Sequence, residues 1–191
     1  MADLVTIMRI YVTLLQYDHG IVRQVLDVIG EIVRTHRTSK HMAEMKEMID
    51  FLEQFLDRFH HAKEEKFFFP AALEECPKMT ETMNRLVEEH RQARRMIVMA
   101  LDAVASGDVS KVEERSRELV EHMTRHITEE ENHVFPAVEN DLREDTDLRI
   151  REQYDHFMEE GFGSDYYQTA EAFANEIQDR VLGAGFFKGI A

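Results

Sequence analysis

Apolar residues recur every three or four positions along four long stretches of the chain, and this spacing predicts four amphipathic helices. Long helices joined by short connections pack as an up-down-up-down four-helix bundle, so the predicted fold class is all-α. Ser110 and Glu113 have the spacing of a capping box, which is expected to open the fourth helix. The four helices are expected over about residues 5–34, 40–74, 79–105 and 111–140.

A helical pattern also follows the fourth stretch. Two further helices are expected over about residues 146–160 and 165–182. Residues 1–141 are therefore predicted to form the bundle and residues 142–191 a C-terminal helical extension. The extension is expected either to pack on the bundle or to join two copies of the chain as a homo-oligomer, and the pattern leaves both open.

Four histidines and two glutamates interrupt the apolar stripes of the four predicted helices. The first and third helices each carry one such histidine. The second and fourth each carry His-x3-Glu, a spacing that places both side chains on one helix face, one turn apart. Both His-x3-Glu segments end in Phe-Pro, so the chain reads as two helical hairpins of one design. The six residues are His19, His60, Glu64, His90, His126 and Glu130.

The six groups together predict bound metal. A lone histidine on an apolar face is usually a hydrogen-bonded core residue. Burying six such groups without partners, however, would cost several kcal/mol for each unsatisfied group, against a net stability of only about 5–15 kcal/mol. Metal ions inside the bundle would resolve this conflict, because imidazole nitrogens and carboxylate oxygens are metal ligands.

Two metals fit this ligand set better than one. Six ligands exceed the four that tetrahedral zinc uses. If both glutamates bridge a metal pair, each metal receives two histidines, and about two of roughly twelve coordination positions stay open for O2, NO, peroxide or water. Nitrogen and oxygen ligands without thiolate favour iron or manganese, and zinc is also compatible.

Three other histidines are candidates for an additional ligand. His133 follows the second glutamate at the spacing of ferritin-like sites. That fold needs a second pair of the same spacing, which residues 57–60 only approximate. The three candidates are His122, one turn before the fourth-helix histidine; His61, beside the second-helix histidine; and His133.

Composition excludes several classes of function. The chain has 191 residues and a formal net charge of −15, which argues against nucleic acids and anionic membranes, since both need a basic surface. The single cysteine, Cys76, excludes an internal disulfide and a zinc site of several thiolates. The N-terminal residues predict neither a signal peptide nor a membrane span, so a cytoplasmic location is expected. Glu65 and Glu131, which directly follow the two ligand glutamates, are expected to be solvated or to support the ligands.

The complete ligand pattern, with Phe-Pro after both His-x3-Glu pairs, resembles the hemerythrin-like, or HHE cation-binding, family. The resemblance covers about residues 10–140. It implies a four-helix bundle around a non-heme di-iron centre, whose two irons share an oxo or hydroxo bridge. By matching position, Glu64 and Glu130 would bridge the irons and the four histidines would be terminal ligands.

Two positions depart from the oxygen-carrying members of that family. Those members have another histidine one turn before the third-helix ligand, where this chain has Leu86, and they end in His-x4-Asp, where this chain has His126-x3-Glu130. The set is more similar to bacterial members, including the di-iron proteins of iron–sulfur-cluster repair. The resemblance implies binding of O2 or a related diatomic for sensing, buffering or storage. The alternatives are a di-iron oxidoreductase or cluster-repair protein acting on peroxide or NO, and a metal that mainly stabilises the fold; whether the chain is an enzyme stays open.

Overall fold

The computed structural model describes residues 10–184 and residue 186. Within those residues every regular element is a helix and no strand is present, which confirms the all-α class. Residues 5–9 of the first predicted helix lie outside the described residues. The α-helices are α1 (Ile10–Arg34), α2 (Met42–Phe51), α3 (Phe69–Glu75), α4 (Thr80–Ser106), α5 (Val109–Glu129), α6 (Phe135–Asp141), α7 (Glu144–Gly161) and α8 (Tyr166–Leu182).

π-helical winding interrupts the second and fourth predicted helices. The segments Leu52–His61 and Glu64–Phe68 connect α2 to α3, and Glu130–Val134 connects α5 to α6. Pro70 and Pro136 then lie in the first turns of α3 and α6, where a missing backbone N–H is tolerated. π winding is rare in proteins, and where it occurs it is often at a functional site. The side chains of these segments are therefore candidates for function.

The turn between α4 and α5 differs from the prediction. Gly107 adopts a left-handed φ of 69° and ends α4. Asp108 then caps α5, because its Oδ1 accepts a hydrogen bond of 3.1 Å from the backbone N–H of Lys111. The predicted capping box of Ser110 and Glu113 is therefore wrong: an aspartate two residues earlier takes the cap position.

The helices enclose one apolar interior. α1 packs against α5 and α8, and α4 packs against α5 and α2. No described helix is long and apolar enough to cross a membrane. Side chains that fill the interior without solvent exposure include Val22, Leu56, Leu86 and Met123.

The two C-terminal helices contact the helices that carry the candidate ligands. α8 packs against α1 and α2, and α7 packs against α1 and the π segment Glu64–Phe68. Residue 185 and residues 187–191 of the predicted extension lie outside the described residues. The division into residues 1–141 and 142–191 stays a prediction.

Candidate metal centre

The structure brings all six predicted ligands together in the interior. Each is at most 2% exposed, so the cluster is closed to bulk water. The three π segments supply three of the six residues: His60, Glu64 and Glu130. His19 comes from α1, His60 and Glu64 from the π segments after α2, His90 from α4, His126 from α5 and Glu130 from the π segment after α5.

The six residues form two groups of four that share both glutamates. One group adds His19 and His60, and the other adds His90 and His126. Within each group, one potential ligand atom from every residue lies within 4.8 Å of the others. The sequence did not indicate which histidines pair; the fold places His19 beside His60 and His90 beside His126.

The paired histidines face each other through their Nε2 atoms. This distance is 3.0 Å between His19 and His60, and 3.0 Å between His90 and His126. In all four rings the Nδ1 atom lies against a carboxylate and is the natural donor, which leaves a lone pair on each Nε2. Two lone pairs at 3.0 Å repel unless a proton or a metal cation lies between them.

The two glutamates complete both groups without hydrogen bonds of their own. Glu64 Oε2 lies 3.5 Å from His60 Nε2 and 3.4 Å from His90 Nε2. Glu130 lies 3.3 Å from His19 Nε2 through Oε2 and 3.4 Å from His126 Nε2 through Oε1. All four oxygens are buried and none has a hydrogen-bond partner. Because an unpaired buried carboxylate is costly, these oxygens and the facing Nε2 atoms fit a pair of cations.

Each ligand histidine is held from behind by a carboxylate, at 2.9–3.0 Å from its Nδ1 atom. Such a bond fixes the tautomer and the ring orientation of a metal-binding histidine. The arrangement repeats in both hairpins. The carboxylate that follows Glu64 or Glu130 in sequence holds the single histidine of α1 or α4. The carboxylate that precedes each of those single histidines holds the histidine of a His-x3-Glu pair. The pairs are His19 with Glu131, His90 with Glu65, His60 with Asp18, and His126 with Glu89.

Two of these carboxylates were expected and two were missed. Glu65 and Glu131 support the ligands, which was one of their two predicted roles. Asp18 and Glu89 were not singled out, although a signal was present, since each directly precedes a lone histidine of the repeat. That signal is weak in a chain with 38 acidic residues.

Three of the four carboxylates are held by arginines near the surface. Arg23 binds Glu131 through two hydrogen bonds of 2.6 and 2.7 Å. Arg94 binds Glu65 and Arg85 binds Glu89 through one hydrogen bond each, at 2.8 and 2.9 Å. Although burial alone would raise it, His19 and Arg23 lower the pKa of Glu131 to about 2.

The fourth carboxylate, Asp18, is fully buried and has a different set of partners. The ammonium group of Lys63, also without solvent exposure, forms an ion pair with Asp18. Lys63 donates a further hydrogen bond of 3.2 Å to the hydroxyl of Tyr167, which itself donates to Asp18 Oδ1 at 2.8 Å. Tyr154 donates to the Tyr167 hydroxyl at 2.7 Å. Since these tyrosines belong to α7 and α8, the C-terminal helices reach a ligand histidine through hydrogen bonds.

The two ligand glutamates have opposite electrostatic environments. Burial and the charge of Glu130 raise the pKa of Glu64 well above its ordinary value. Burial also disfavours charge on Glu130, but His126, His19 and His90 outweigh it and lower the pKa of Glu130 to about 2. Without metal, the pair therefore carries one proton and one negative charge; two cations would let both ionise.

Of the other three candidate histidines, only one lies at the centre. His133 is 68% exposed and pairs with Glu129 on the surface, so the ferritin-like spacing is not used. His122 lies 3.0 Å from the backbone carbonyl of Glu89 through Nε2 and is in neither group. His61 is fully buried within reach of His90 and His126.

Aromatic rings from the two Phe-Pro segments close one side of the centre. Phe135 stacks on His19 with ring centroids 5.5 Å apart, and Phe69 stacks on His90 at 5.7 Å. Both phenylalanines begin α3 and α6 and directly precede the prolines. The repeated segment therefore supplies an apolar cover as well as ligands.

Buried histidines and carboxylates that converge inside an all-helical frame define a cation-binding helical domain. Over residues 11–138 the chain matches the family described as Hemerythrin HHE cation binding domain. This match spans well over half of the chain, and the chain belongs to that family, which confirms the resemblance of the ligand pattern. No curated protein and no solved structure matches the chain.

Proposed function

We propose that the chain is a non-heme di-iron protein that binds O2 or a related diatomic, for sensing, buffering or storage. The observation that carries the proposal is the pair of four-residue groups sharing Glu64 and Glu130. Glu64 and Glu130 would hold both irons, His19 and His60 would hold one of them, and His90 and His126 would hold the other. Manganese or zinc could occupy the same ligands.

The proposed frame is an up-down-up-down bundle, with one hairpin ending at α3 and the second formed by α4 to α6. Each hairpin would give two histidines and one glutamate. Residues of the chain then have separate tasks: the four rear carboxylates orient the imidazoles, and Phe69 and Phe135 exclude water. When bound, the irons would supply redox-active metal with open positions for a small ligand.

The burial of the site supports a ligand of very few atoms. All six groups are at most 2% exposed, so a larger substrate cannot reach them unless helices move. A surface cleft of about 470 Å³ is lined in part by His126, so this side of the centre lies nearest to solvent. The cleft has charged and polar walls, which include Arg85, Glu89, His122 and Arg125.

One observation favours the alternative, a di-iron oxidoreductase or cluster-repair protein acting on peroxide or NO. Asp18 connects His60 to Tyr167 and Tyr154 through hydrogen bonds of 2.7–2.9 Å. Such a chain can pass a proton between the centre and the side of the bundle covered by α7. Reversible binding of a diatomic has no need of a proton route, whereas reduction of peroxide or NO does.

Metal content and optical spectrum of the purified chain test the proposal. Two irons per chain, with absorption that changes reversibly on exposure to air, are the expected result. Steady turnover of peroxide or NO above that of free iron would instead support the enzyme. A single zinc without visible absorption would refute both.

Alanine variants connect that result to the named residues. His60→Ala and Glu130→Ala are expected to lose metal, because each leaves neighbouring ligands unpaired. His133→Ala is the matched control, since His133 is an exposed histidine of the same repeat segment. Full metal content in either ligand variant would contradict the assignment of that residue.

A further inference from the structure

His61 is a buried histidine whose polar atoms have no partner. It is 0% exposed, and neither ring nitrogen makes a hydrogen bond. A buried polar group without a partner costs free energy, and such groups in folded proteins call for an explanation. Its neighbours are two candidate ligands: the ring stacks on His90 with centroids 3.8 Å apart and meets His126 edge-on at 5.7 Å.

His61 is grouped with one of the two histidine pairs, His90 and His126. One of its ring nitrogens lies within 4.8 Å of ligand nitrogens of both His90 and His126. His19 and His60, at the other end of the centre, have no such third histidine among the described residues. One possible ligand nitrogen from each of the three rings therefore lies near the other two, on the side of the centre that carries His90 and His126.

A carboxylate also lies behind His61, as it does behind the other four histidines. Nδ1 of His61 is 3.6 Å from Asp57 Oδ1. This is beyond hydrogen-bond distance but on the same ring atom that the other four direct at their carboxylates. Arg94 binds Asp57 at 2.5 Å and Glu65 at 2.8 Å, so one arginine holds the carboxylates behind both His61 and His90.

The π winding explains how neighbouring residues can serve different metals. On an α-helix, consecutive side chains diverge around the axis, so His60 and His61 would not both point inward. Here both end the π segment Leu52–His61 and both are 0% exposed. His60 faces His19 at 3.0 Å, whereas His61 lies against His90.

We propose that His61 is a fifth histidine ligand, bound to the metal of His90 and His126. This inference rests on the proposed di-metal centre. It makes the centre asymmetric, with three histidines on one metal and two on the other.

His61→Phe tests the assignment, because phenylalanine keeps the ring and its stacking on His90 but has no nitrogen. The full-length variant and the wild type are compared as metal-free protein and after loading with Fe(II) without oxygen. Metal stoichiometry, affinity in competition with a chelator, and the thermal midpoint are measured. His122→Phe is the matched control, since His122 is a buried histidine outside both groups.

His61→Phe should have opposite effects on the metal-free and the metal-loaded protein. Metal-free His61→Phe should melt at or above the wild-type temperature, because two unpaired buried nitrogens have been removed. After loading, one of the two metals should bind at least tenfold more weakly, since loss of even an outer partner costs about 10- to 100-fold. The other metal and the His122→Phe control should keep wild-type affinity.

Two metals bound to His61→Phe with wild-type affinity would overturn the proposal and leave His61 a packing residue. A wild type that binds no metal pair would instead refute the di-metal centre, so the two failures are distinguishable. If His61→Phe does not fold, His61→Leu is measured in the same way. Retention of both metals in that variant would equally overturn the proposal.

Discussion

Nδ1 of His60 lies 2.9 Å from Oδ2 of Asp18, and both side chains are completely buried. The other three ligand histidines rest on carboxylates that reach surface arginines. Asp18 is instead neutralised inside the protein, by the ammonium group of Lys63. Although burial alone would raise it, Lys63 and His60 lower the pKa of Asp18. This relationship links the metal centre to the stability of the fold.

Lys63→Met should strongly destabilise the protein. It leaves the charge of Asp18 buried without its ion-pair partner, and breaking a buried pair costs about 3–5 kcal/mol. Chemical denaturation of the metal-free protein measures the change in the free energy of unfolding. The double variant Lys63→Met with Asp18→Asn should recover part of the loss, because the unpaired charge is gone. Equal stability of the two variants would contradict the importance of this ion pair.

Tyr167→Phe should show that α8 supports the centre. It removes the hydroxyl that donates to Asp18, and loss of a hydrogen bond to a charged group costs about 1.5–3 kcal/mol. Affinity for one metal should also fall by about 10- to 100-fold, because Asp18 orients His60. Tyr154→Phe is the matched control: its hydroxyl bonds only to Tyr167 among the residues of this network, so its effect on metal affinity should be smaller. A larger loss of metal affinity in Tyr154→Phe than in Tyr167→Phe would contradict the proposal that Tyr167 is the tyrosine that supports Asp18.

The six residues of the cluster could be picked out from the sequence because their signal is local. Histidine and glutamate at i and i+4 share a helix face whatever surrounds the helix. The buried partners arise from contacts between helices; Glu131 and His19, for example, are 112 residues apart. Lys63 was also hidden, because a lysine between ligand residues normally predicts a solvated position, whereas here α7 and α8 cover it.

The π segments were the other feature that the sequence did not indicate. Helix prediction assumes 3.6 residues per turn. With that period, a helix that directs His60 into the interior directs His61 away from it. The repeated Phe-Pro did mark the place where the winding changes. Pro70 and Pro136 lie just after that change, in the first turns of α3 and α6.

Glutamine at the two bridging positions should affect the metal-free protein unequally. Because the pKa of Glu64 is raised, its carboxyl is already protonated, and Glu64→Gln should change stability little. Against the effect of burial, chiefly His126 and His19 lower the pKa of Glu130 to about 2, so Glu130→Gln should destabilise the metal-free protein clearly more than Glu64→Gln does. Denaturation at neutral pH measures both variants, and both should lose metal. Similar losses of stability would contradict the assigned protonation states.

Acid should release the metal as histidines take up protons. Burial lowers the pKa of His60 to about 4, with the hydrogen bond to Asp18 acting in the opposite direction. A folded pKa below the unfolded value of about 6.5 means that the native protein favours the neutral ring. Stability from this group and its capacity to bind metal should be fully present above about pH 6.5, and both should decline as the pH falls toward 4. Metal retained after dialysis across this range measures the effect, with His133→Ala as the control that removes an exposed histidine outside the cluster. Release that increases as the pH rises from 4 to 7 would show that protons and metal do not compete for these ligands.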